Sequence, residues 1–309
     1  MKEKILNFIR KNRDKKWMLF IDQLIFRFTD DKVTSIGSKL TYYLVLSIFP
    51  FLIFLLNIVK FTPLASQDVL NQIVAVLPGD TQTMIIDIVN GIIDASNNAL
   101  LSFSAIGGLW TASSGIAPVI QAINEAYDYK DKRSFIKRRF TAIIFTLGLI
   151  VLIILVFGSL IFGEIIAENA FSLIDGGDLF KTIWPFLRIV IALAFMMLAF
   201  SLLYKYGPSF PKESKVSFKD TLPGSIFVSI GWVLASVLFS FYVNNFGKYS
   251  VTYGSLGGII VFLIWLYISS IIIVLGGEVN ATIDYFKKNN WTYDPKKSFM
   301  RDIILKVAD

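Results

Sequence analysis

Six long apolar stretches, separated by charged intervals, constrain the fold of this 309-residue chain more than any other feature. Each is about as long as the helix of roughly 20 residues that crosses the hydrocarbon core of a bilayer. Backbone polar groups in lipid must be satisfied within the segment, so such stretches form helices rather than strands. The sequence predicts an all-α polytopic membrane protein with six spans at about 40–59, 99–123, 140–163, 183–204, 221–245 and 253–277.

Lys and Arg residues alternate between dense and sparse intervals along the chain. Residues 1–39, 124–139, 205–220 and the segment after 277 hold ten, six, four and six of them, whereas each intervening interval holds one. Cytoplasmic loops carry the Lys/Arg excess. The alternation therefore predicts a multi-pass plasma-membrane protein with both termini in the cytoplasm, in which a membrane domain (40–277) lies between an amphipathic N-terminal segment (1–39) and a basic tail (278–309).

The charge distribution also narrows the classes of partner. The net charge is +7, but the predicted inner segments hold 26 basic and 15 acidic residues, against 3 and 8 outside. This basicity is accounted for by orientation and by attraction to anionic inner-leaflet lipid, so we predict membrane lipids and no nucleic acid as partners. The chain has no cysteine and no histidine, and we predict no catalytic residue, metal site or cofactor.

Two segments outside the spans have helical periodicity. Trp17, Ile21, Leu24 and Phe28 recur at helical spacing behind a cluster of basic residues, which suits either a helix in the lipid headgroup region or one packed on the protein's own cytoplasmic face. The interval 61–98 contains two apolar stripes separated by a Pro-Gly-Asp turn. It predicts two short amphipathic helices on the outer side.

The second span is unusually rich in small and polar residues. Close helix packing explains such a composition, and the alternative is a helix broken at Gly107-Gly108 and at Gly115 to Pro118, with its backbone turned toward a polar path. The candidate path residues are Arg188, Glu278, Asn280, Trp110, Ser113, Ser114 and Asn124. The candidate packing glycines are Gly107, Gly108, Gly115, Gly231, Gly254 and Gly258, and a homo-oligomer is compatible with these surfaces.

Ionisable residues near the span ends allow two interpretations each. Arg188 can extend to the outer headgroups, or face inward and bind an anionic headgroup or pair with Glu164 or Glu168. Glu278 follows the Gly-Gly pair that ends the last span, where a carboxylate opposes the helix dipole. It is predicted to form an ion pair with Lys39 or Lys205, and the alternative is a cation-binding or proton-coupling site.

Several strings in fixed order carry a family resemblance. They are LTYY at 40–43 with LSIFP at 46–50, LWTASSG at 109–115 leading to NEAY at 124–127, RSFIKRR at 133–139, DTLPG at 220–224, FYVNNFG at 241–247 running into YGSLG at 253–257, and GGEVN at 276–280. Over roughly 35–286 the chain resembles the YihY/BrkB family of bacterial membrane proteins, long labelled ribonuclease BN. The resemblance implies a six-helix protein of the bacterial plasma membrane and supplies no catalytic residues.

Three functions are open at this point. The first is a transporter or exporter-like protein that handles a lipid or another amphiphile, whose substrate the sequence does not identify. The second is a non-transporting scaffold whose basic terminal segments recruit partners or anionic lipid. A membrane-associated ribonuclease has the weakest support, because the chain lacks histidine, cysteine and a large soluble domain for RNA.

Overall fold

The computed structural model describes residues 15–59, 98–172, 177–211, 216–246, 257–292 and 294–300. These residues form seven α-helices and no strand, which confirms the all-α class. The helices are α1 (Lys16–Asp30), α2 (Val33–Val59), α3 (Asn98–Ala126), α4 (Phe135–Ser172), α5 (Gly177–Tyr206), α6 (Phe218–Phe246) and α7 (Gly257–Lys288), followed by a 3-10 turn at Pro295–Lys297.

Five segments within the described residues are long and apolar enough to cross a membrane. They are Ile106–Ala126, Phe135–Leu155, Phe186–Tyr206, Phe218–Val243 and Gly257–Lys288. Helix α2 contains the predicted first span but is not among these five. The two amphipathic helices predicted within 61–98 lie outside the described residues.

Helix α3 runs from Asn98 to Ala126 without interruption, with Pro118 inside it. The predicted alternative of a helix broken at its glycines and proline is therefore wrong. A glycine costs a helix only about 1 kcal/mol relative to alanine, whereas a free backbone group in lipid costs several. The Thr111 and Ser113 hydroxyls donate back to the Gly107 and Trp110 carbonyls at 2.8 and 2.7 Å.

The chain divides into two compact units. One comprises 1–41, 118–133 and 196–309, and the other comprises 42–117 and 134–195. The boundaries fall inside α2, α3 and α5, so these helices contribute residues to both units. The apolar core of the first unit consists of Val33, Leu40, Val119, Ala122, Ile123, Tyr127, Tyr204, Val228, Val274 and Ala281.

Helices α6 and α7 pack closely where two glycines meet. A Cβ atom added to Gly224 would overlap the Gly276 carbonyl, and one added to Gly276 would overlap Val228 and the Tyr204 hydroxyl. One turn further along α7, the Asn280 side chain accepts the Gly224 N–H at 2.7 Å and donates to the Thr221 carbonyl at 3.2 Å. The glycines bring the helices close enough for this amide to bind the α6 backbone.

Helix α1 packs against α7. Its buried residues are Met18, Leu19, Asp22, Gln23 and Arg27. Two residues of the predicted apolar stripe, Trp17 and Ile21, are instead 46% and 43% exposed. A buried polar side chain needs a protein partner, and Arg27 on the buried face pairs with Glu278 of α7.

Asp22 connects α1 to the C-terminal segment. Its carboxylate accepts the backbone N–H of Met300 at 2.7 Å, and Met300 packs against Met18. Burial raises the pKa of Asp22, and the hydrogen bonds from Met300, Ser298 and Phe299 oppose that rise. The described C-terminal residues are thus anchored on the first helix.

Alanine at Gly224 or Gly276 is expected to destabilise the protein by about 1–3 kcal/mol, because the new methyl group would force two backbones apart. Gly107 is the matched control, since it lies inside a helix and an added Cβ would meet nothing within 4 Å. Thermal unfolding of the purified protein in detergent measures the difference. Equal stability of the Gly276→Ala and Gly107→Ala variants would contradict the assigned packing.

Candidate functional site

The C-terminal end of α3 supplies one side of a buried charge cluster. The Tyr129 N–H bonds to the Asn124 carbonyl at 2.9 Å, and Asp128 has a φ of 59°. This is the left-handed ending in which glycine or asparagine is usual. The turn leaves the Ala126 carbonyl free of an intrahelical partner, and Arg27 Nη1 donates to it at 2.7 Å. A cation at this position also stabilises the helix dipole.

Arg27 is surrounded by three carboxylates. Its Nη1 atom lies 3.6 Å from Glu278 Oε2 and 3.9 Å from Asp31 Oδ2, and its Nη2 atom lies 3.6 Å from Asp128 Oδ2. The guanidinium also lies over the Tyr285 ring, 6.0 Å from its centroid. One positive charge is therefore shared by three negative ones whenever all four groups are ionised.

Glu278 is the most deeply buried member of the cluster. Its residue exposure is 0%, and neither carboxylate oxygen has a hydrogen-bond partner of ordinary geometry among the described residues. Gln23 Nε2, Arg27 Nε and Thr282 Oγ1 are likewise buried without such a partner. Gln23 lies one turn before Arg27 on α1, and Thr282 lies one turn after Glu278 on α7. The polar groups without a partner therefore lie on the face of α1 that carries Arg27 and on the face of α7 that carries Glu278.

Burial raises the pKa of Asp31 to about 6; Arg27 opposes this rise, and the negative charges of Asp128 and Asp30 add to it. Burial also raises the pKa of the neighbouring Tyr127 hydroxyl, which stays protonated. The cluster therefore contains a carboxyl group outside the candidate spans that changes charge near neutral pH.

Two predicted path residues, Asn280 and Asn124, have structural roles in the same unit. Asn280 binds the α6 backbone as described above. Asn124 donates to the Ile120 carbonyl at 3.0 Å and accepts the Ser209 N–H at 2.8 Å, which connects α3 to the segment after α5. Glu278 pairs with Arg27, so the predicted partners Lys39 and Lys205 are wrong: Lys39 is exposed, and Lys205 lies over the Tyr206 ring.

In the other unit, Trp110 and Ser114 both contact Arg139, which was not among the candidate residues predicted from the sequence. The Arg139 guanidinium lies 4.2 Å from the centroid of the Trp110 ring, donates to the Trp110 carbonyl, and approaches Ser114 Oγ at 3.3 Å. Ser113 is buried and bonds to its own helix. These contacts fix the start of α4 against α3 within that unit.

The remaining candidates lie apart from both clusters. Arg188 is exposed, and the structure gives it no ion pair with another described side chain; the side chains of Glu164 and Glu168 are outside the described set. Three of the candidate packing glycines have close neighbours: a Cβ added to Gly115 would meet Ser47, one added to Gly108 would meet Pro50, and one added to Gly231 would meet Ile272. A Cβ added to Gly107 or Gly258 would meet nothing within 4 Å. Gly254 is outside the described residues.

The arrangement around Arg27 suits a proton better than a metal ion. The three carboxylates surround the Arg27 guanidinium and leave no central position for a metal ion. No group of three possible metal ligands occurs among the described residues. In the sequence, Arg27 is one of the ten basic residues of segment 1–39 that indicate orientation. The spacing of Gln23, Arg27 and Asp31, four residues apart along α1 and its C-terminal cap, is the signal that could have marked a buried polar face.

Arg27→Ala is expected to destabilise the protein by about 3–5 kcal/mol, because it leaves Glu278 and the Ala126 carbonyl buried without their partner. Lys288→Ala is the control: Lys288 and Asp284 also form an ion pair, at 2.6 Å, but their side chains are 55% and 28% exposed. Such an exposed pair contributes about 0–1 kcal/mol. Thermal unfolding in detergent measures both, and equal losses would contradict the central role of Arg27.

Asp31→Asn is expected to reduce the pH dependence of stability. The pKa of Asp31 is about 6 in the folded protein against an ordinary 3.8, so the folded state binds this proton more tightly. The resulting stabilisation, roughly 3 kcal/mol, is present below about pH 4 and is lost as the pH rises through 6. Unfolding of wild type, Asp31→Asn and the control Asp284→Asn, whose carboxylate pairs with Lys288, across this range tests the assignment, and an unchanged profile for Asp31→Asn would overturn it.

Comparisons with known proteins place these features in a family. The model for the virulence factor BrkB matches residues 24–300, which include the whole Arg27 cluster. The ribonuclease-like protein YfkH of Bacillus subtilis is 38% identical over 271 residues, covering 88% of this chain and 97% of the relative. A UPF0761 membrane protein of Psychromonas ingrahamii is 26% identical over 294 residues, covering 92% and 93%.

A second UPF0761 membrane protein, from Psychrobacter sp., is 26% identical over 278 residues, and the chain spans only 50% of its length. No solved structure matches the chain significantly. The family match extends over most of the chain, and the relatives are bacterial membrane proteins whose activity is not established. The chain belongs to the BrkB family of membrane proteins.

Proposed function

We propose that this protein is a transporter of the bacterial plasma membrane that moves a lipid or another amphiphile. The observation that carries the proposal is the wholly buried Glu278 paired with Arg27 at 3.6 Å. Ionisable groups within membrane helices are costly to bury and commonly mark substrate or ion pathways. A protein that served only as a membrane anchor would have no need of such a pair.

The proposed topology has six spans, with α2 as the first and both termini in the cytoplasm. The alternation of Lys and Arg supports it. In this arrangement α1 and the end of α7 lie near the inner surface, which places the Arg27 cluster at the cytoplasmic end of the bundle. Two amphipathic helices between the first and second spans would lie on the outer side, and Arg188 would contact outer headgroups.

The scaffold function is the second candidate, and one observation favours it. Trp17, Ile21 and Ile25 are 46%, 43% and 40% exposed on α1, beside the basic N-terminal segment. An apolar face next to basic residues suits anionic lipid at a membrane surface. Arg27 is unchanged when the six basic residues before α1 are replaced, which are Lys2, Lys4, Arg10, Lys11, Arg13 and Lys15.

Vesicles with reconstituted full-length protein and a fluorescent phospholipid test transport. Dithionite bleaches the label in the outer leaflet, and transbilayer movement brings the remaining label within its reach. Wild type is expected to accelerate bleaching over protein-free vesicles, and Glu278→Gln to slow it at least tenfold, because the buried pair is lost. Asp284→Asn, which alters only the exposed pair with Lys288, should retain the wild-type rate.

Two results would contradict the transport proposal. The first is a wild-type rate equal to that of protein-free vesicles. The second is loss of function in cells when the six basic residues before α1 are replaced by glutamine, with the vesicle rate unchanged; this outcome would favour the scaffold. RNA cleavage by the purified protein that Glu278→Gln abolishes would instead revive the ribonuclease function.

A further inference from the structure

The three carboxylates around Arg27 differ in their access to solvent. The side chain of Asp128 is 62% exposed, that of Asp31 is 19% exposed and that of Glu278 is 0% exposed. All three lie within 3.6–3.9 Å of the same guanidinium. They therefore form a graded series from solvent to the fully buried end of the cluster.

Full ionisation of this cluster is electrostatically unfavourable. A single buried guanidinium, which also bonds to the Ala126 carbonyl, would have to compensate three carboxylates. An ionised carboxyl group without close hydrogen-bond donors is among the most costly groups to bury, and among the described residues no donor lies within ordinary hydrogen-bond distance of either Glu278 oxygen, since Arg27 Nη1 is 3.6 Å from Oε2. Binding one proton removes this cost, because a neutral carboxylic acid needs no compensating cation.

We propose that the Arg27 cluster is a proton-binding site in which Glu278 takes up and releases a proton through Asp31 and Asp128. On release, the O–H bond of Glu278 breaks, its electron pair stays on the carboxylate, and the proton passes to water at the exposed Asp128. Arg27 then compensates the new charge at 3.6 Å. This inference rests on the proposed transport function, for which it identifies the proton as the coupling ion.

A metal cation does not fit the same position. The guanidinium occupies the centre of the carboxylates and would repel a second cation, and the described residues contain no three-ligand metal group. Gln23 Nε2 and Thr282 Oγ1, which are buried and unsatisfied beside the cluster, can bind the water molecules that a proton path requires.

Other charged and titratable groups around the cluster limit what a pH experiment can show. From the elements packed around it they are Asp30 at the end of α1, Tyr127 and Tyr129 after α3, Asp220 on α6, and Asp284, Tyr285 and Lys287 on α7. Asp220 is paired with Lys287 at 2.6 Å, and Asp284 with Lys288. A readout specific for one carboxyl group is therefore needed.

Infrared difference spectroscopy of full-length protein in liposomes supplies that readout through the carbonyl stretch of a protonated carboxyl group. Because Asp31 also titrates near pH 6, the comparison is made in an Asp31→Asn background, where we expect a band that titrates near neutral pH, is lost with Glu278→Gln, returns with Glu278→Asp, and is retained with the control Asp284→Asn. In Arg27→Gln its midpoint should rise by about 1–3 pH units, because the compensating cation is gone. Absence of the band at every pH, or its persistence in Glu278→Gln, would overturn the proposal.

A second variant tests the same site if Glu278→Gln does not fold. Asp128→Asn removes one negative charge from the exposed end, and asparagine tolerates the φ of 59° at this position. The midpoint of the band should fall, and an unchanged midpoint would overturn the proposal. Titration of the band needs no substrate, so a titrating band without lipid movement would refute transport alone, whereas lipid movement without the band would refute the proton site alone.

Discussion

The pairing of Arg27 with Glu278 is the interaction on which the first unit depends. It joins three parts of the chain that are far apart in sequence: α1, the end of α3 and α7. Arg27 binds the Ala126 carbonyl at 2.7 Å while it faces the Glu278 carboxylate at 3.6 Å. Replacement of the buried pair by apolar groups of similar volume need not destabilise a protein, so the presence of the pair is a reason to look for a function beyond stability.

The small residues of α6 and α7 make this pairing possible. Gly224 and Gly276 allow the two helices to approach until Asn280 reaches the α6 backbone. Glu278 lies between Gly276 and Asn280 on the same helix, and Gly277 faces Ile123 and Ala126 of α3. The five residues GGEVN at 276–280 thus supply both the small residues for close helix packing and the buried Glu278 carboxyl group.

Several features of the fold and part of the site could be predicted from the sequence. Hydropathy and length located the helices, because only a helix of such length satisfies its own backbone in lipid. Glu278 was recognised as a carboxylate in need of a partner at the end of a helix. Its partner could not be predicted, because Lys39 and Lys205 have the same charge as Arg27 and lie at a similar depth, and only the packing of α1 on α7 distinguishes them.

The sequence did not determine which side of α1 is buried. The apolar stripe at Trp17 and Ile21 allowed either a helix in the headgroup region or one packed on the protein, and the structure buries Asp22, Gln23 and Arg27 and leaves the stripe exposed. In water an amphipathic helix buries its apolar side, but beside a bilayer either side has a favourable environment.

By itself, the sequence determined an all-helical membrane protein, since hydropathy and backbone hydrogen bonding are local properties. Only the tertiary structure decided which charges meet, because that depends on contacts between residues as far apart as 27 and 278.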